Sequence, residues 1–238
     1  MLTEHVTGEF TMYGRLFFAA IMAVMIAGCA TPEAKLDTSA DAEMTFDGLF
    51  PIKNSRAQMA WARADMDLTP FTKIMLQGVG VEYRPGGESG RSMSARSSGG
   101  PFEVTEAQKE RFETVMRETF TEELGQSQRF TLVTEPGPDV LLVRGALLDV
   151  VSFVPPETVG RSDIFLTRVG EATLVIELRD SITEAIMLRA VDRRAAEQAG
   201  GFMSNSNRVT NMAEVRRLAR TWARMLRERL DELATPAE

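Results

Sequence analysis

Cysteine occurs once in the 238 residues, at Cys29. A chain with one cysteine closes no internal disulfide, so packing alone must hold its fold together. The only histidine, His5, lies upstream of Cys29. From Cys29 onward no imidazole exists, which excludes serine–histidine and cysteine–histidine catalysis and zinc sites of His and Cys ligands. Oxygen-ligand metals such as calcium are the metal class left. No cofactor is expected.

The cysteine ends an apolar run. Arg15 precedes eleven uncharged residues, Leu16 to Ile26, and Ala27-Gly28 then supply small side chains before Cys29. A basic start, an apolar segment of about 7–15 residues and a small-residue cut site are the parts of a secretory leader. A transmembrane helix needs about 20 apolar residues, more than this run offers. Ile26-Ala27-Gly28-Cys29 resembles a bacterial lipobox, in which lipid is attached to the cysteine and the leader is cut between Gly28 and Cys29. The resemblance implies a diacylglycerol thioether and an N-acyl group on Cys29. Each buried methylene contributes ~0.8 kcal/mol, so two or three chains anchor a protein stably. Ala30 follows where aspartate would favour inner-membrane retention, so the expected address is the periplasmic face of the outer membrane. Glu4 and Glu9 are out of place in a leader, and a start at Met12 would leave a short basic Met12-Tyr13-Gly14-Arg15.

The expected organisation is a leader over 1–28, a flexible tether over 29–47 and a single domain over 48–234. A net charge of −7 argues against nucleic acid as a partner. The expected partners are the membrane, through the anchor, and an envelope protein complex.

Within the domain, Met59, Trp61 and Met66 mark a short apolar stretch, with the tryptophan expected in the core. Phe71 to Tyr83 reads as a strand whose alternation is broken by Gly78 and Gly80, suggesting a bulge or a close backbone approach. Thr105 and Gln108 have capping-box spacing, and Phe112, Val115, Met116, Phe120 and Leu124 form one helical stripe with Gly125 as a left-handed stop. Phe130 to Val133 and the long apolar stretch Val140 to Val154 read as strands, the second central in the sheet. Ala172, Leu174, Ile176 and Leu178 alternate with polar residues as in a strand buried on one face, and Ala185 to Ala195 pairs with it through a turn at Asp180 to Thr183. Asn211 and Glu214 are spaced to cap a last helix lined by Val215, Leu218, Trp222, Leu226, Leu230 and Leu233. The expected fold class is α+β: a two-layer sandwich with a mostly antiparallel sheet of about five strands and two amphipathic helices.

These residues are similar to the bacterial lipoprotein family of domain of unknown function 3313. The similarity lies in Asp67-Leu68, Phe71-Thr72-Lys73-Ile74, Glu135 to Leu141, Asp180-Ser181, Asp192-Arg193-Arg194, Trp222-Ala223-Arg224 and Leu226-Arg227. The resemblance implies a lipoprotein and a fold, with no activity and no catalytic residue. The glycine usual in the family between Thr183 and Glu184 is missing here.

Candidate sites are few. Gly86 to Ser92 suggests a phosphate loop, but Pro85 and Arg91 break the G-x-x-x-x-G-K-[ST] pattern, so no nucleotide is expected. Arg193, Arg194, Arg216 and Arg220 are the candidate partner-facing residues. The expected function is a non-enzymatic, lipid-anchored interaction domain. The alternative is a carboxylate-dependent hydrolase of wall polymers or polysaccharides, for which Asp65, Asp67, Asp180 and Asp192 are the nominated acids.

Overall fold

Short extended segments alternate with long ones along the chain. A computed structural model describes residues 33–85, 101–154, 165–197, 204–205 and 207–234. The leader, Gly28, Cys29 and the Gly86 to Ser92 segment lie outside them. The elements in chain order are β1 (Lys35–Leu36), β2 (Phe50–Lys53), β3 (Met59–Ala62), β4 (Lys73–Tyr83), α1 (Glu106–Leu124), β5 (Thr131–Val133), β6 (Val140–Ser152), β7 (Phe165–Leu166), β8 (Arg168–Asp180), β9 (Ile186–Glu197), β10 (Ser204–Asn205) and α2 (Arg208–Leu233).

Eight strands form one sheet in the order β1-β2-β3-β9-β8-β6-β4-β5, and β7 pairs with β10. The sheet is mixed: β4 runs parallel to both β5 and β6, and the remaining pairs are antiparallel. This corrects the expected mostly antiparallel sheet of about five strands. Two physical reasons account for the difference. The segments β1, β2 and β3 are two to four residues long, too short to display a period of two. The chain between β4 and β6 contains α1, and a helical crossover is the connection that brings two strands side by side in parallel. Residues of the stretch read as a tether contribute β1, and Asp47 pairs with Arg189 at 2.6 Å.

In α1 the Thr105 side chain accepts from Gln108 N, and Thr105 N donates to Gln108 Oε1 at 2.8 Å. Gly125 is right-handed, with φ −65°, because its N–H still reaches Thr121 O, so the expected left-handed stop is absent. The second helix starts one turn before the expected cap. Asn207 accepts from Val209 N and Thr210 N, while Asn211 and Glu214 are buried inside the helix.

The two helices pack against each other and against one face of the sheet. Register sets that face: Ile176 sits opposite Gly145 and Ala190, and Leu178 opposite Val143 and Leu188. Ile74, Leu141, Leu124, Trp222 and Leu230 complete a core in which Trp222 is wholly buried. In β3 it is Ala60 and Ala62 that turn inward. Trp61 sits opposite Arg189 and is half-buried, which corrects its expected place in the core.

The opposite face carries ion pairs. Glu177 joins Arg179 and Arg189, and Glu171 joins Arg193 and Arg168. Asp149, with φ 54° at an irregularity of β6, joins Arg84 and Arg193. A short polar side chain is among those that tolerate that backbone conformation.

Candidate functional site

The four nominated acids do not form a catalytic pair. Asp65 bonds Arg63 Nε at 2.9 Å, and that bond holds its carboxyl below the ordinary value. Asp67 accepts from Thr69 Oγ1 and Thr69 N, which also lowers it. Asp180 accepts from the backbone N–H groups of Thr183 and Ile182 at 2.7 and 2.9 Å, closing the β8–β9 turn, and is lowered by those bonds. Asp192 is buried and accepts from Trp222 Nε1, Arg194 Nε and Gln58 N. A general acid needs a carboxyl raised by an apolar pocket. Asp65, Asp67 and Asp180 are shifted the other way, and Asp192 spends its oxygens on structure.

The nominated arginines are also dispersed. Arg193 lies on the ion-paired face with Asp149 and Glu171, whereas Arg194 turns inward to Asp192 and lies 3.8 Å from Met225 Sδ. Arg220 reaches across the helix pair to buried Glu123 at 3.3 Å. Arg216 is exposed on α2. On that helix Glu228 and Glu232 face Arg56 of the β2–β3 connection at 3.5 and 3.2 Å.

The positions that carry the family resemblance serve the architecture. Thr72 N and Lys73 N both donate to Asp139 O, and Lys73 Nζ lies 3.0 Å from Asp139 Oδ2. The Ser181 hydroxyl donates to Gly137 O and accepts from Gly137 N. Leu68 and Phe71 are buried. Together these bonds set the register of β4 and β6 and brace the turn before β6.

What the structure does contain is a cavity of about 350 Å³ between α1 and the β4–β6–β8 part of the sheet. Its inner wall is apolar: Leu76, Val81, Met116, Phe120, Val143, Leu147, Leu174 and Ile176. Gln77, Glu113, Arg117 and Thr121 stand at its exposed rim. Two glycines form part of its floor, Gly78 and Gly145, opposite each other in register. A Cβ on Gly78 would meet nothing within 4 Å, and one on Gly145 would only touch Ile176 Cδ1 at 3.4 Å. Gly78 therefore permits no close approach of backbone, contrary to one of the sequence expectations. The bulge between Gly78 and Gly80 is present, and Gly80, with φ 139°, has a conformational reason to be glycine. Gly78 has neither reason. Its missing side chain leaves room.

Sequence reasoning missed this cavity, although the glycines breaking β4 were its signal. Among the described residues no group of His, Cys, Asp or Glu is placed to hold a metal ion. No helix among them is long and apolar enough to cross a membrane.

Several solved structures resemble the chain at low identity. PelC from Paraburkholderia phytofirmans, solved as a dodecamer, is 12% identical, with 71% of this chain and 95% of that one covered and a TM-score of 0.33. Protein XCC0632 from Xanthomonas campestris, of the DUF330 family model, is 9% identical over 70% of this chain and 86% of that one, with a TM-score of 0.43. A homologue of neuraminyllactose-binding hemagglutinin from Helicobacter pylori is 8% identical over 71% of this chain and 92% of that one, with a TM-score of 0.36. At these scores the likenesses transfer neither ligand nor assembly. No curated protein matches the chain. A family model does, over residues 43–226, and by that match the chain belongs to the family described as protein of unknown function, DUF3313.

Proposed function

We propose that the protein is a non-enzymatic binding domain, held by lipid on Cys29 at the periplasmic face of the outer membrane, and that the cavity under α1 is its ligand seat. One observation carries the reading: an apolar cavity whose floor residue, Gly78, is glycine without a conformational or steric need for it. Glycine inside a strand costs about 0.5–1 kcal/mol relative to alanine, so a cavity kept open at that cost is better read as used than as a packing fault. Pockets that take small ligands are concave and mostly apolar, with a few polar groups near the mouth. The leader and the lipobox pattern of the sequence support the anchor. The arginines of α2 keep an envelope protein complex as a second class of partner.

The anchor and the seat are tested separately. Membranes from cells producing the wild-type chain and Cys29→Ser are fractionated after labelling with a palmitate analogue. Label and sedimentation with the outer membrane are expected only for the wild type, and equal sedimentation of both would remove the anchor. The neutral fluorescent probe N-phenyl-1-naphthylamine, added to the full Cys29→Ser chain without detergent, is expected to bind at one saturable site. Absence of saturable binding would remove the seat.

A further inference from the structure

The cavity wall specifies more than an apolar guest. Among its inner residues none offers a side-chain hydrogen-bond donor or acceptor. A sugar, nucleotide or peptide placed there would leave polar groups without partners, a penalty that hydrocarbon avoids. The volume of about 350 Å³ is at the small end of ligand pockets, about 300–1,000 Å³. It suits one hydrocarbon tail, whereas a diacyl lipid brings two.

The rim specifies the head. Glu113 and Arg117 are four residues apart on α1 and therefore share one helix face. Both are exposed. Among the described residues Arg117 donates to the Thr114 hydroxyl at 3.4 Å and pairs with no carboxylate, and Glu113 forms no ion pair. One anion and one cation therefore stand together at the cavity mouth, where the head group of a guest would meet both. A guanidinium suits a phosphate, and a carboxylate suits an ammonium.

We propose that the cavity binds a single-chain zwitterionic phospholipid, a lysophospholipid of the phosphoethanolamine kind, with its acyl chain against Gly78 and Val143, its phosphate at Arg117 and its ammonium at Glu113. This rests on the cavity being a binding seat, and it adds the chemical class of the ligand. A plain fatty acid would satisfy Arg117 but bring its charge beside Glu113. A neutral monoacylglycerol would use neither charge. The lysophospholipid fits tail and head together.

The test uses the full Cys29→Ser chain without detergent and N-phenyl-1-naphthylamine as reporter. Palmitoyl lysophosphatidylethanolamine, kept below its micelle concentration, displaces the reporter with one-to-one stoichiometry. Palmitate and monopalmitoylglycerol compete about tenfold less well, the difference expected for a lost charge-assisted contact. The double variant Glu113→Gln with Arg117→Gln keeps reporter binding and loses about tenfold in lysophospholipid affinity. Gly78→Leu fills the floor and removes both. If Gly78→Leu fails to fold, Gly78→Ala provides the readout, since its added methyl group has open space and still narrows the seat.

Equal competition by all three amphiphiles, or unchanged lysophospholipid affinity in the double variant, overturns the assignment of the head. Reporter binding that the glycine variants abolish, together with no displacement by lysophosphatidylethanolamine, overturns the ligand class and leaves the seat standing. Reporter binding insensitive to Gly78, or none at all, overturns both.

Discussion

Trp222 Nε1 donates to Asp192 Oδ2 at 2.8 Å, joining a wholly buried ring on α2 to a buried carboxylate on β9. The same carboxylate accepts from Gln58 N at 3.1 Å and from Arg194 Nε, so one acid ties the last helix, a central hairpin and the start of β3. A buried indole needs an acceptor for its N–H, and a buried carboxylate needs donors for its oxygens. Each supplies the other.

Asp192→Ala is therefore expected to destabilise the domain by about 2–3 kcal/mol, chiefly by leaving the Trp222 N–H buried without an acceptor. Urea denaturation checks this as a lower midpoint with an unchanged slope. Trp222→Phe removes the donor instead, and a double-mutant cycle between the two positions should show coupling. Additive losses would mean that the bond contributes nothing of its own.

Two glycines facing opposite constraints give a paired prediction. A Cβ on Gly170 would fall 2.4 Å from Val151 O, which is backbone and cannot yield cheaply. Gly170→Ala is expected to cost about 1–3 kcal/mol, as overpacking does. Gly78→Ala meets open space and reduces the freedom of the unfolded chain, so it is expected to stabilise by about 0.4–1 kcal/mol. Thermal melts of both variants beside the wild type decide the signs. A destabilised Gly78→Ala would show that glycine there serves the fold and would weaken the case for a seat.

The legible parts of this fold are those whose signals are local. Thr105 and Gln108 announce α1 because both halves of the capping box lie within one turn. Ala172, Leu174, Ile176 and Leu178 reveal their buried face because a long strand repeats its period four times. Asn207 and Thr210 repeat the spacing of Asn211 and Glu214, and the helix begins at the earlier pair, which supplies a complete capping box. The strands β1 to β3 and the parallel pairing of β4 with β6 were not legible. The first are shorter than a readable period, and the second depends on a partner across a helical crossover. The cavity was hidden for a related reason. Gly78 and Gly145 are far apart in sequence, and only their register places two absent side chains opposite each other.

The β8–β9 turn holds Glu184 at φ 55°, a backbone conformation that favours glycine. A side chain in that conformation costs about 1–2 kcal/mol, partly offset by glycine's greater unfolded-state entropy. Among the described residues the Glu184 side chain makes only a long pair with Arg144, at 3.7 Å on the surface, while Arg179 bonds the Glu184 carbonyl, which any residue provides. Glu184→Gly is expected to stabilise by about 0.5–1 kcal/mol in urea denaturation. A loss of stability would assign that surface pair more weight than exposed pairs usually carry.

Acid should weaken the ion-paired face through Asp149. The Arg84 and Arg193 guanidinium groups hold its carboxyl at about 2, below the ordinary 3.8. A group depressed in the folded state binds its proton later there than in the unfolded chain. Its contribution is therefore complete above the ordinary value and is lost as pH falls from about 4 to about 2. Asp149→Asn removes this titration, so the variant should be less stable than the wild type at neutral pH and the two should converge through that window. Urea midpoints measured from neutral pH down to pH of about 2 follow the convergence. The contribution is bounded by solvent, since Arg84 and Arg193 are each more than a third exposed. Asp149 also holds φ 54°, and asparagine shares the tolerance of aspartate for that backbone, so the substitution isolates charge from conformation. Parallel curves at all pH values would show that Asp149 does not carry the acid sensitivity of this face.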